Sequence, residues 1–248
     1  MTGIIGAMKI ETDGLIAALT DRRSETVGGI EMNVGLLDGR DTVIASCGVG
    51  KVFAAMCAES MIMRYSPSLI INTGVAGTLT PDISVTDVVI ADRVCQHDMN
   101  TTAVGDPRGL ISGIGFVHFP TDMAARRIAV REAARLGIRA HVGCVASGDI
   151  FVSDAEMKGK IAAKFGAVAC EMEGGAIAQV CYINSTPCII IRSISDSADG
   201  ETHMSYREFL AAAANKSAAL VNSSESLIIS LPPGGRWHAK RDGGSPSC

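Results

Sequence analysis

The chain has 248 residues, 47% of them hydrophobic and only 4% aromatic, with 27 glycines. Modest charge and high apolar content exclude a disordered chain, and 25.8 kDa suffices for one large core of small aliphatic side chains. A net charge of −4 offers no electrostatic footprint for a nucleic-acid backbone or an anionic membrane.

In chain order, residues 3–8 read as a buried strand running directly into polar Lys9 and Glu11. Residues 30–37 and 42–47 flank Asp38-Gly39, the signature of a tight β-hairpin. Gly48-Val49-Gly50 launches a helix over 51–65 that Ser66-Pro67 stops. Continuous apolar runs at 68–72 and 87–92 read as buried strands, with Thr73-Gly74-Val75-Ala76-Gly77 between them as a loop. Residues 96–120 form a long Gly-rich connection, either a functional loop or an interface segment. A helix over 122–136 ends at Gly137. Strands follow at 142–146, 167–170 and 188–194, separated by helices over 154–165 and 174–181. Ser205 and Glu208 form a capping box opening a last long helix. Residues 231–248 read as a disordered tail. No repeat or linker interrupts the alternation, so residues 1–230 are read as one α/β domain.

The N-terminal MTGIIGAMKIE has no basic stretch and reaches Lys9 and Glu11 too early for a secretory signal. No window of ~18 residues is free of charge or turn signals, so no membrane span is expected and the cytoplasm is the expected compartment. The eight cysteines include no Cys-x-x-Cys pair and read as buried free thiols. The histidines are too widely spaced for a zinc motif, so no metal is expected.

In open α/β sheets, ligands bind beyond the carboxyl ends of strands. Here those ends carry Glu11, Gly48-Val49-Gly50, Gly74-Val75-Ala76-Gly77, Ser147-Gly148-Asp149, Glu171-Met172-Glu173 and Arg192-Ser193-Ile194-Ser195-Asp196. Each acid also has a plainer reading. Glu11, Glu171 and Glu173 suit the first turn of a helix, where they complement its dipole, and Asp196 suits a turn. Yet a carboxylate abutting a buried strand is costly unless paired or functional, and several in one sheet point to a pocket. Known phosphate motifs fail: Gly48-Val49-Gly50 has Phe53 where the dinucleotide fingerprint needs Gly, and Gly50-Lys51 is followed by Val52 instead of Ser or Thr. No serine sits in a G-x-S-x-G elbow, which argues against serine hydrolase chemistry.

Taken together and in order, Gly3–Met8 with Glu11, Asn72–Gly77, Ser147–Asp149, Glu171–Glu173 and Ser195–Asp199 resemble the 5′-methylthioadenosine/S-adenosylhomocysteine nucleosidases of the nucleoside phosphorylase/hydrolase superfamily. The resemblance covers about residues 3–230. It implies a three-layer α/β sandwich around a twisted mixed sheet, a homodimer, no cofactor, and hydrolysis of an N-glycosidic bond to free adenine. It also implies roles. Asp196 would protonate N7 of the leaving adenine, Glu11 would deprotonate water with Arg192 as helper, and Glu173 would bind the ribose hydroxyls. Met172 would pack on the sugar, with Glu171 and Ser195 in support and Ala76 and Gly77 along the ribose side. Phe151 would stack on the base and Val152 backbone would read its edge, while Met8, Val49 and Tyr206 would line the slot for the 5′-alkylthio group. Three departures stand out: Val75 replaces a common Ser, Asn100 stands where an Asp is frequent, and loop 104–114 lacks the aromatics that some members insert into the partner's site. A phosphorylase of the same superfamily, a futalosine-type hydrolase and a non-catalytic nucleoside-binding protein are the rivals. The anionic Glu11, at a position where phosphorylases carry cationic groups for phosphate, favours water as the nucleophile.

Overall fold

The structure is a computed structural model that describes residues 1–196 together with Ala219 and Leu220. In chain order it runs β1 (Thr2–Gly6), α1 (Lys9–Ala17), β2 (Thr20–Val27), β3 (Ile30–Leu37), β4 (Arg40–Ser46), α2 (Lys51–Tyr65), β5 (Leu69–Thr78) and β6 (Val88–Gln96). It continues through β7 (His118–Pro120), α3 (Met123–Arg135), β8 (Ala140–Ser147), α4 (Ala155–Phe165), β9 (Ala167–Glu171), α5 (Gly174–Ile183) and β10 (Cys188–Asp196).

The strands form one mixed sheet in the order β10-β6-β8-β9-β5-β1-β4-β3-β2, with β7 added to β6. Because β10 also pairs with β5, the strands β5-β10-β6-β8-β9 close into a ring. β5 makes this closure by changing partners along its length. Leu69–Asn72 lie parallel to β1, whereas Gly77 and Thr78 pair antiparallel with Cys170 and Ala169 of β9.

Alternation along the strands sorts side chains to two faces. Ile5, Val43, Ala45, Ile70 and Ile190 pack with α2 and α5, while Ile4, Ile44, Ile71, Ile189 and Ile191 pack with α1 and α3. A smaller cluster beneath α4 joins Ile161 and Phe165 to Cys95, Cys144 and Ala146. Helix–sheet–helix layering is the expected sandwich. Local signals account for the boundaries. Asp38 and Gly39 both adopt positive φ, as the two-residue hairpin requires. Asp122 and Asp154 cap α3 and α4 by accepting from Ala125 N–H and Met157 N–H at 2.8 and 2.7 Å.

Three sequence expectations change. Residues 73–77, read as a loop, are the second half of β5. The polar segments that become α1 and β2 carried no assignment, and β2 is a largely exposed edge strand paired to β3, with Glu25 also accepting from Arg64 and Tyr65 of α2. The 96–120 connection contains a 3₁₀ turn at Thr102–Val104, an Ile111–Phe116 bridge and β7. The capping box at Ser205 and Glu208, Tyr206 and the 231–248 tail lie outside the described residues. Cys47, Cys57, Cys95, Cys144, Cys170, Cys181 and Cys188 are free and buried. Among the described residues, no helix is long and apolar enough to cross a membrane.

Candidate active site

A cavity opens where β1, β5, β9 and β10 end. Its walls include Met8, Glu11, Val49, Ala76, Gly77, Phe151, Val152, Glu171, Met172, Glu173, Ser195 and Asp196, all expected from the sequence. Ala7, Val75, Ile150 and Cys170 complete it, each a direct neighbour of a predicted position.

Glu11 sits in the first turn of α1, and its carboxylate folds back over the helix start. Oε2 accepts from the backbone N–H groups of Ala7 and Met8 at 2.7 and 2.9 Å, and Oε1 accepts from Val75 N–H at 3.1 Å. The plain reading and the functional one therefore hold together: the same group caps α1 and faces the cavity. Burial pushes its pKa up, against Arg192 and the three N–H donors that favour the charged form. Room for it comes from Gly74, where a Cβ would lie 2.6 Å from Oε1. The small residues of β5 thus answer to neighbouring carboxylates, and the strand does not turn there. Gly77 repeats the device, since a Cβ there would lie 2.8 Å from Asp196 Oδ2.

Glu173 occupies the N-cap position of α5, and its Oε1 accepts from Gly50 N–H at 2.8 Å. Gly50 holds φ at +101°, a conformation that L side chains resist, and this aims its N–H across the cavity. Burial first, then the neighbouring Glu171, pushes the Glu173 pKa up to about 7.

Glu171 is the anchor beneath them. It accepts from the Ser147 hydroxyl, from Glu173 and Gly174 N–H at 3.0 and 2.8 Å, and from Arg192 Nη2. Burial works against its charge, but Arg192 and these donors outweigh burial and hold its pKa below the usual carboxylate range. Arg192 also donates to the Asn72 side chain and to the Ile191 carbonyl, and Asn72 in turn donates to the Ile5 carbonyl at 2.9 Å. Burial opposes the guanidinium charge, and Glu171, Glu173 and Glu11 overcome it. Arg192 was expected beside the attacking water. Instead it lies behind the wall as the shared counter-ion of three glutamates and does not line the cavity.

Asp196 ends β10 at the other side of the cavity. Its Oδ1 accepts from Ser195 Oγ at 3.2 Å, and its Oδ2 lies 2.8 Å from the ammonium of Lys158. The sequence reading missed Lys158, which is buried on α4. The available signal was its spacing with Ile161 and Phe165, the buried stripe of that helix. Among the described residues, no lysine or arginine lines the cavity. Its polar end is therefore acidic, and its other walls are apolar.

A second cluster is not part of this pocket. Cys95, His118 and Cys144, from adjacent strands β6, β7 and β8, bring ligand atoms within 4.8 Å of one another. Such a group could hold a metal ion, although none of the three lines the cavity. Linear cysteine and histidine spacing gave no hint of it, because strand pairing assembles it.

Residues 2–224 match the sequence profile of the Phosphorylase superfamily, and the chain belongs to that family. Within it the chain is 39% identical over 229 residues to a 5′-methylthioadenosine/S-adenosylhomocysteine nucleosidase of Geobacillus thermodenitrificans, covering 92% of this chain and 97% of that protein. Its fold is similar to the nucleosidase of the same name from Neisseria meningitidis, solved with methylthio-immucillin-A. There the TM-score is 0.86 at 36% identity, over 90% of this chain and 97% of that one. The native futalosine hydrolase of Helicobacter pylori is similar at a TM-score of 0.85 and 33% identity, over 90% and 96% of the two chains.

Proposed function

We propose that the chain hydrolyses the N-glycosidic bond of 5′-methylthioadenosine and S-adenosylhomocysteine, releasing adenine and the 5-thio-substituted ribose. 5′-Deoxyadenosine fits the same chemistry. The observation that carries this reading is the cavity that gathers Glu11, Glu173 and Asp196 with no cation on its walls among the described residues. A phosphorylase must cradle a phosphate dianion, which this acidic end would repel. Water is the nucleophile such a site admits.

The roles are those the family resemblance implies, and the position of each described side chain supports them. Adenine is a poor anionic leaving group, so Asp196 supplies a proton to N7 as the bond breaks. The sugar passes through an oxocarbenium-like state, and the charge of Glu11 stabilises it while the carboxylate takes the proton of the incoming water. Glu173 holds the ribose hydroxyls, Met172 packs against the sugar, and Phe151 stacks on the base with Val152 at its edge. Met8 and Val49 receive the 5′-alkylthio group, joined by Tyr206. No metal or organic cofactor enters these steps.

We further infer a homodimer. Val49, Val52, Phe53 and Met56 form an exposed apolar stripe at the start of α2, and Phe151 beside the pocket is 63% exposed. A second copy covering that stripe would bring its 104–114 loop to the cavity mouth. Residues 1–230 form the nucleosidase domain and 231–248 a tail outside it, a division supported by a family match that ends at residue 224. The setting is cytoplasmic, where the reaction clears by-products of S-adenosylmethionine use and returns methylthioadenosine to methionine salvage. Futalosine-type specificity is the second reading, favoured by the likeness to a futalosine hydrolase.

The test is adenine release in phosphate-free buffer. Methylthioadenosine should be cleaved without phosphate, and Asp196→Asn should lower turnover by about 10²–10⁴-fold with the fold intact. Release that requires phosphate would convert the reading to a phosphorylase. Selective cleavage of aminodeoxyfutalosine would move the assignment to the second reading.

A further inference from the structure

The ion pair between Lys158 and Asp196 raises a chemical problem. A general acid must carry a proton on one carboxyl oxygen, yet here Asp196 Oδ2 accepts from the ammonium of Lys158 at 2.8 Å, while Ser195 Oγ, 3.2 Å from Oδ1, shares its one proton with the Ala76 carbonyl. The contact with Lys158 is the bonding of an ionised carboxylate. The pair is also shielded, with side-chain exposures of 2% for Lys158 and 11% for Asp196. A purine laid over the site would cut Asp196 off from solvent altogether. The proton for N7 must then come from inside the complex.

Building on the nucleosidase reading above, we infer that Lys158 acts through Asp196 as a positioning residue that stores the proton Asp196 delivers to the leaving base. In the open site the ammonium holds the carboxylate in place. When an apolar ring covers the pair, solvent that favours separate charges is withdrawn, and a proton can pass along the N–H···O contact without changing net charge. Gly77, lacking a side chain beneath both oxygens, lets the carboxyl group turn toward the base. The ionisable group facing the pair from β9 is Cys170, whose thiol burial pushes up to about 12, so it remains a neutral bystander.

The protons balance. Lys158 Nζ gives one to Asp196, which passes it to N7 as the glycosidic bond breaks and its electron pair leaves with the purine. Water adds to the anomeric carbon and yields its proton to Glu11. Glu11 then releases that proton to solvent and Lys158 takes one up, so each cycle consumes only water.

Arginine separates this role from a plain salt bridge, because a guanidinium keeps the charge but does not give up its proton. Wild type, Lys158→Arg and Lys158→Met are compared for adenine release from methylthioadenosine, for adenine binding by calorimetry, and for 4-nitrophenolate release from 4-nitrophenyl 5-methylthioriboside. Nitrophenolate leaves without protonation. Both variants should lose about 10²–10³-fold in kcat for adenine release, with KM and adenine binding within a few-fold of wild type. Nitrophenolate release should fall much less than adenine release. Full activity of Lys158→Arg would reduce the contact to an ion pair and overturn the inference. Equal losses on both substrates, or lost adenine binding, would overturn it in favour of a structural role. Wild-type protein that frees no adenine would instead refute the nucleosidase reading itself.

Discussion

Replacing Gly74 with alanine puts one methyl group where the Glu11 carboxylate lies. The new Cβ would sit 2.6 Å from Oε1 and 3.0 Å from Cδ, well inside contact distance. β5 is held on both sides at this level, by β10 and by the β1 pairing just before it, so the carboxylate must give way. Oε1 then leaves Val75 N–H, which it accepts at 3.1 Å, while Oε2 can keep Ala7 and Met8. An orphaned backbone donor costs about 1–3 kcal/mol, and residual overpacking adds a similar amount. At about 2–4 °C per kcal/mol for a chain of this size, the melting temperature should fall by roughly 4–24 °C. Turnover should suffer more than stability, since a displacement of about 1 Å in a reacting group is worth ~10²-fold. Gly14 on the same helix is the matched control. Nothing lies within 4 Å of its Cβ position and its φ is ordinary, so Gly14→Ala should raise stability by about 0.5–1 kcal/mol and leave turnover unchanged. Thermal unfolding and adenine release measure both. Wild-type turnover in Gly74→Ala would refute the idea that Glu11 acts from the position Gly74 makes for it.

Other perturbations reach the rest of the site. Glu173 has a folded pKa raised to about 7, so the folded protein holds its proton longer than the unfolded chain. Its contribution is present below the unfolded value near 4.5 and is lost as pH rises to 7, an effect of the order of 2–3 kcal/mol. Glu173→Gln should therefore gain melting temperature relative to wild type between pH 4.5 and 7; a constant difference would contradict this. Arg192→Met strips three glutamates of their shared cation and should destabilise by about 3–5 kcal/mol, most severely at high pH where those acids are charged. Denaturant unfolding at pH 5 and 8 tests that ordering. Phe53→Asp places a charge in the exposed stripe of α2 and should give a monomer by light scattering, while a dimer that persists would move the interface elsewhere.

Local chemistry explains which parts of the fold were legible in the sequence. The Asp38-Gly39 hairpin, α2, and the helices that open at Asp122 and Asp154 depend on residues adjacent in the chain, so their signals are self-contained. Residues 73–77 misled because small residues usually mean a turn. Here they make space for acids that arrive from α1 and β10. β2 was invisible because an edge strand paired on one side needs no apolar alternation, and its exposed charges blunt a free edge. Lys158 was hidden for the opposite reason, since lysine on an amphipathic helix ordinarily reads as solvated. Its partner lies 38 residues away in sequence. Lining residues followed from ordered motifs, whereas the counter-ions behind them depend on side-chain packing that no single motif encodes.

The counter-ions also decide what the cavity can do. Four acids surround it, and the two cations that balance them, Arg192 and Lys158, are both turned into the wall. Arg192 bonds Glu171 and Asn72 from behind the wall, so no cation stands between the lumen and Glu11 or Glu173, whose pKa values burial raises. Such a field suits a sugar that becomes positive as its bond to the base breaks, and it disfavours an anionic nucleophile. Lys158 serves the acid at the far end, where the base must be protonated. One molecule of water, a cationic transition state and a neutral leaving base are the species this charge arrangement accommodates together.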